Sequence, residues 1–198
     1  MADTPDEKPS PPSGAGGTPP PGPPPAPPRK EAAPDPLKAE VPSVALDRLR
    51  TAHAEALAEV TYHSRQVSVR IAPASLLSVL RFLRDDEACR FDLLIDLCGV
   101  DWVAPPERFE VNYHLYSIPR GHFLRLKARF GEGEAAPSAT SIWSTADWFE
   151  REIFDLFGLT FAGHPDLRRI LLPEDWRGHP LRKEYPLAGY PDQHLRLR

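Results

Sequence analysis

Only two cysteines, Cys89 and Cys98, occur in the 198 residues. Two cysteines cannot supply the four thiolates of an iron–sulfur cluster, and this pair lacks the close spacing of a zinc knuckle. They read as core or near-core thiols in a reducing compartment. No apolar run approaches the ~20 residues needed to span a bilayer, so any membrane association is expected to come through a partner. The formal charge of −4, with no basic stripe interleaved with aromatics, gives no support to nucleic-acid binding. No glycine-rich fingerprint stands between a strand and a helix, and no Gly-x-Ser-x-Gly elbow precedes a helix. The opening Met1-Ala2-Asp3-Thr4-Pro5-Asp6-Glu7 has neither the regions of a secretory signal nor the arginine-rich look of a transit peptide. These absences predict a cytosolic chain with no reaction machinery of its own.

Proline is abundant, and it divides the chain. Residues 1–42 hold 15 of the 25 prolines and almost no large apolar side chains. Such a segment cannot bury enough surface to offset its ordering entropy, so a disordered tail is expected. Residues 43–162 form the expected domain. A helix is predicted from Ser43, as N-cap, to about Glu59, with Leu46, Leu49, His53, Ala56 and Val60 at helical spacing. Val67, Val69 and Ile71 alternate as in a half-buried strand. Pro73 opens a second helix striped by Leu76, Leu77, Leu80 and Leu83.

A strand over 91–97 is predicted to carry Phe91, Leu93, Ile95 and Leu97 on one face. Phe109 to Leu115 and Leu124 to Phe130 form a hairpin about Pro119-Arg120-Gly121, with Arg125, Lys127 and Arg129 as a basic row near Glu110 and His114. Residues 131–138 read as a flexible loop. A third helix starts near Ser144 with Asp147 as a capping signal, buries Phe149, Ile153, Leu156 and Phe157, and ends at Gly158. A short strand over 159–161 closes the domain. The expected class is α+β: a mostly antiparallel or mixed sheet with helices on one face.

Residues 163–198 differ in kind. Pro165, Pro173, Pro180, Pro186 and Pro191 leave no room for a long helix, yet the segment is rich in arginine, leucine and aromatics. Two matched turns, Gly163-His164-Pro165 and Gly178-His179-Pro180, are each followed by an apolar anchor and two cations. The segment reads as an extended arm laid on a partner. Leu167, Leu171, Trp176, Leu181 and Tyr185 would fill pockets, while Arg168, Arg169, Arg182 and Lys183 reach carboxylates. The fifteen-residue separation of His164 and His179 is not metal-ligand spacing, and turn histidines commonly bond backbone. Upstream, Glu150, Glu152 and Asp155 read as the polar face of the third helix, with Arg151–Asp155 as an i,i+4 pair. Carboxylates late in a helix oppose its dipole, so cations are expected to answer them. No catalytic, cofactor-binding or metal-binding residue is assigned.

Glu150-Arg151-Glu152, Asp155-Leu156-Phe157, His164, Arg168 and Ile170-Leu171, at these distances, resemble the signature of the 30-kilodalton or C subunit of respiratory complex I, the proton-pumping NADH:quinone oxidoreductase. The run from Pro173-Glu174-Asp175-Trp176 through Gly178-His179-Pro180-Leu181-Arg182-Lys183-Glu184-Tyr185-Pro186-Leu187 is similar to that family as well, with Glu184 where it usually has aspartate. So is the block Asp96-Leu97-Cys98-Gly99-Val100-Asp101-Trp102 with Arg108-Phe109-Glu110-Val111. The resemblance covers roughly residues 43–191. It implies a cofactor-free component of the enzyme's peripheral arm, docked on the D subunit among other arm subunits, on the cytoplasmic side of a bacterial cell membrane. FMN and the iron–sulfur clusters would belong to other subunits, which would pass electrons from NADH to quinone. The residues it marks as signature and partner interface are Glu150, Arg151, Glu152, Asp155, His164, Arg168, Arg169, Trp176, His179, Leu181, Arg182, Lys183 and Tyr185. The alternatives are an equivalent subunit of a membrane-bound hydrogenase or other donor:quinone complex, a stand-alone enzyme, and a free adaptor displaying the proline-rich head.

Overall fold

The computed structural model describes residues 37, 39–103 and 106–190. The expected tail lies almost wholly outside the described residues, as do Pro105 and residues 191–198 of the expected arm. Helix α1 (Val44–Ala52) is capped by the Ser43 side chain, which accepts from the Leu46 amide. It stops at Ala52, short of the predicted end. Residues Leu57–His63 form a strand, β1, that pairs antiparallel with β2 (Gln66–Ile71). The alanine- and glutamate-rich run 54–59 favours helix locally, but sheet pairing wins there. Ser64 and Arg65 make the two-residue turn with positive φ, the geometry of a type I′ hairpin. No glycine or asparagine marks that turn in the sequence.

Pro73–Ser75 form one 3₁₀ turn that leads into α2 (Leu76–Asp85). Strand β3 (Leu93–Asp101) pairs antiparallel with β4 (Phe109–Ser117), and β4 pairs antiparallel with β5 (His122–Phe130). A parallel contact, Val69 with Leu126, joins β2 to β5, giving the mixed order β1-β2-β5-β4-β3. The α+β class is as expected. In β3 the inward residues differ from the prediction. A register shift between Leu94 and Asp96 turns Leu94 and Leu97 into the core, while Leu93 and Ile95 are exposed. A single-residue bulge reverses the side-chain alternation, and period-two reading cannot detect it.

One face of the sheet carries Val111, Tyr113, Leu115, Leu124, Leu126 and Ala128, all buried, and the buried side chains of the three helices join the same cluster. The opposite face carries Asp96, Cys98, Glu110, His114 and the basic row of β5. The predicted row is in register: Glu110 faces Arg129, and His114 faces Arg125. The expected flexible loop 131–138 instead contains β6 (Ala136–Pro137), paired in parallel with β7 (Phe161–Ala162). Helix α3 (Ala146–Phe157) packs on β3 where Gly99 leaves space: a Cβ there would meet the Phe157 ring at 3.0 Å. That close approach fixes the height of α3 above the sheet, and the ribbon that follows is built on its end.

Candidate functional site

The last turn of an α-helix leaves carbonyls without intrahelical donors, and in α3 the C-terminal ribbon supplies them. Gly158 ends the helix in the left-handed conformation, φ 72°. His179 Nδ1 donates to the Asp155 carbonyl at 2.8 Å, the Leu181 amide to the Leu156 carbonyl at 3.0 Å, and Arg182 Nε to the Phe157 carbonyl at 2.6 Å. With Nδ1 as donor, His179 carries its proton there. Burial holds the ring below its ordinary pKa, so it sits neutral at physiological pH. A cation and two neutral donors thus meet the negative end of the helix dipole.

Gly158 also makes room for this junction. A Cβ on it would lie 2.6 Å from the His179 ring and 2.9 Å from Arg182 Nη2. Gly158→Ala is therefore expected to displace the second Gly-His-Pro turn and cost about 2 kcal/mol, combining left-handed strain with a lost hydrogen bond. Chemical denaturation checks the cost, and faster proteolysis within 164–190 checks its location. An unchanged unfolding midpoint would contradict the close packing.

Asp155 is the first hub. Its carboxylate is fully buried; Oδ2 accepts from the amides of Ile170 (3.1 Å), Leu171 (2.8 Å) and Leu172 (2.9 Å), and Oδ1 from Arg169 (2.7 Å). Burial alone would raise its pKa. The three amides and the guanidinium outweigh that and hold it below the carboxylate range. Arg169 also reaches the Gly178 carbonyl at 3.1 Å, so the same cation ties the second turn of the ribbon to α3. The expected Arg151–Asp155 pair does not form. Arg151 is buried, donates to the Arg168 carbonyl at 3.2 Å, and lies over the Trp148 ring at 5.0 Å.

Asp101, at the end of β3, is the second hub. Arg108 binds it through both oxygens at 3.0 and 2.8 Å, and the amides of Val103 and Lys183 each donate at 3.0 Å. The Arg108 hydrogen bonds, followed by those amides, overcome desolvation and press the Asp101 pKa far below its usual range. Arg108 also binds Glu132 at 3.0 Å and the Glu184 carboxylate, while Arg182 reaches Glu132 at 3.1 Å. Both guanidiniums lie against the Phe109 ring, at 5.0 and 5.2 Å. Glu184, one methylene longer than aspartate, reaches Arg108 without difficulty.

Among the described residues, Glu150 has no cation partner. It is fully buried; Oε1 accepts from the Ala139 amide at 2.6 Å, while Oε2 and the buried Tyr113 hydroxyl find no partner among the described residues. Burial drives its pKa up to about 7. The expectation that Glu150, Glu152 and Asp155 line a polar helix face holds only for Glu152, which is exposed. The other two are interior. The helical periodicity of α3 cannot separate a solvated acid from a buried one whose donors come from loops distant in sequence.

The first Gly-His-Pro turn is fixed as well. His164 Nδ1 accepts from the Asp166 amide at 3.0 Å, which leaves Nε2 to donate to the Asp147 carbonyl at 3.2 Å. Arg168 points outward and pairs with Asp166 at 2.9 Å, and Lys183 contributes its backbone amide to Asp101. Leu167 packs on the core; Trp176 and Tyr185 are half-buried, with Tyr185 edge-on to Tyr190 at 5.4 Å. Through Glu184, then, the expected arm is fastened to its own domain. Its donors satisfy α3 and two buried acids, which no neighbouring protein is needed to do. Asp101, Arg108 and Glu132 are members of this site that sequence reasoning does not assign; the spacing Asp101-Trp102 to Arg108 is their only sequence trace.

The ribbon's exposed side mixes large apolar side chains with charged ones such as Arg168, Glu174, Asp175 and Lys183. Leu171, Leu181 and Leu187 are 58%, 48% and 106% exposed, and Trp148 on α3 is 62% exposed. Apolar side chains of this size left this exposed suit a partner surface rather than water.

The family described as "Respiratory-chain NADH dehydrogenase, 30 Kd subunit" matches residues 69–191. The chain is 49% identical over 138 residues to the C subunit of NADH-quinone oxidoreductase from Caulobacter vibrioides, covering 70% of this chain and 66% of that one. It is 46% identical over 125 residues to the C subunit of the same enzyme from Paramagnetospirillum magneticum, covering 63% of each. The matched region thus spans slightly under two thirds of those relatives. Among solved structures, a chain of the membrane-bound sulfane sulfur reductase, an archaeal respiratory membrane complex, superposes with a TM-score of 0.62 at 22% identity, covering 73% of this chain and 85% of that one. That likeness concerns the fold.

Proposed function

The chain belongs to the respiratory-chain NADH dehydrogenase 30 Kd subunit family, and from that premise we propose that it is a non-redox structural subunit of a proton-translocating NADH:quinone oxidoreductase. It sits in the peripheral arm, on the cytoplasmic side of the cell membrane, and holds other arm subunits, the D subunit foremost. FMN and iron–sulfur clusters in those subunits carry electrons from NADH to quinone. No helix among the described residues is long and apolar enough to cross a membrane, so attachment runs through the assembly.

The carrying observation is the ribbon's two-sidedness. Its inner side is fastened by buried ionic hubs, while Leu171, Leu181 and Leu187 of the ribbon, like Trp148 of α3, stay exposed. A segment so fixed loses little conformational entropy on docking, which favours a permanent interface. The role of the signature residues shifts accordingly: Asp155, Arg169, His179 and Arg182 shape the docking surface, and the leucines touch the partner.

Leu171→Asp combined with Leu181→Asp is expected to leave the chain folded and remove it from the assembly. Solubilised membranes run on a native gel, stained for NADH oxidation and probed for this chain, give the result. Wild type should co-migrate with the large NADH-active band, and the double variant should run free. Wild type migrating with a band inactive toward NADH would favour a hydrogenase-type or other donor:quinone complex. A double variant that still co-migrates would place the interface elsewhere.

A further inference from the structure

The sheet face turned away from the core carries a cluster that the ribbon does not use. Asp96 and Cys98 project from β3 on the side opposite Leu97, and His114 projects from β4 directly across from Asp96. A carboxylate oxygen, the thiol sulfur and an imidazole nitrogen all lie within 4.8 Å of one another, and all three residues are half-buried. We propose that Asp96, Cys98 and His114 form a binding site for a borderline-soft divalent cation of the zinc class.

The donor set selects the ion. A thiolate with an imidazole disfavours magnesium and calcium, which take oxygen donors, and favours Zn²⁺ or Cd²⁺. Three protein donors on a half-open face leave a fourth tetrahedral position for water. The backbone is pre-ordered, since all three residues lie within paired strands, so binding requires only rotamer adjustment. A bound ion would pin β3 to β4 just past the bulge between Leu94 and Asp96.

The electrostatic surroundings moderate the affinity. Arg125 lies across from His114, and Lys127 lies across from Asn112 beside Cys98. Both cations oppose a dication, but each is partly engaged elsewhere: Lys127 pairs with the buried Glu110 at 3.4 Å, and Arg125 reaches Gln66 and Ser68. Cys89, the other thiol, is fully buried in the core. It serves as an internal control.

Titrating the purified full-length chain with Cd²⁺, in a phosphine reductant, tests the site. Ultraviolet absorption of the cadmium–thiolate bond should rise to saturation at one equivalent, and Zn²⁺ should displace it. Cys98→Ser should abolish the band. His114→Gln should keep the band but weaken binding by at least about tenfold, the lower end of what losing even an outer-shell partner of a metal costs. Far-ultraviolet circular dichroism confirms that both variants fold. The proposal is overturned if wild type shows no band at stoichiometric Cd²⁺, or if the band survives Cys98→Ser and therefore belongs to Cys89. It is also overturned if His114→Gln and Asp96→Asn both bind as wild type does.

Discussion

Asp155→Ala is expected to lower the stability of the chain by about 3–5 kcal/mol, the usual cost of breaking a buried ion pair by removing one partner. The substitution leaves Arg169 without its carboxylate and orphans the amides of Ile170, Leu171 and Leu172 together. Such donors each lose a hydrogen bond that solvent only partly restores. The ribbon should detach locally before the domain unfolds. Hydrogen exchange should therefore show lost protection at 170–172 beyond that seen in β4 and β5. If urea denaturation gives a loss under about 1 kcal/mol, Asp155 is not the hub described.

The same loss has a definite pH dependence. The folded carboxyl lies below its ordinary value of 3.8, so its contribution is complete above that pH and disappears as pH falls through the folded value. Wild type and Asp155→Ala should therefore differ by a constant amount from about pH 5 to about pH 8 and converge in stronger acid.

Glu150→Gln should act in the opposite direction, stabilising the chain by about 3 kcal/mol at pH 8 and by little near pH 4.5. The folded pKa is about 7 against an ordinary 4.5, and each unit corresponds to ~1.4 kcal/mol. Here the native state binds the proton more tightly than the unfolded chain. Its stability is full below about 4.5 and declines as pH rises to about 7. Glutamine retains an oxygen for the Ala139 amide and never ionises, so it is spared that decline. Denaturation of both proteins at pH 5 and pH 8 measures the difference. A gain that is the same at both would refute the buried, proton-holding glutamate. Taken by themselves, Asp155 favours pH above about 3.8 and Glu150 favours pH below about 7.

These two carboxylates show where sequence reading reaches and where it stops. The sequence singles out Glu150 and Asp155, yet helical spacing alone places both on a solvated face. That spacing reports which residues share a face of α3, but burial of that face is decided by what covers it. Here the cover comes from Ala139 and from the ribbon at 169–172, eleven to seventeen residues away along the chain. Strand β1 escapes sequence reading for a related reason. It is an edge strand whose side chains are exposed or half-buried, so it lacks a period-two apolar signal, while its leading residues favour helix.

By itself the sequence determined the sheet-forming segments with strong alternation, the α+β class, the end of α3 at Gly158 and the family signature. Each depends on local periodicity, a capping residue or motif spacing, all of which survive in one dimension. The tertiary structure alone decided that residues 163–184 fold back on their own domain, that Asp101 and Asp155 are the fasteners, and that Glu150 is stored in the core. Those outcomes depend on donors and acceptors far apart in the chain meeting where water is excluded. There every unpaired carbonyl or carboxylate carries a desolvation cost, which the ribbon removes by supplying the missing donors.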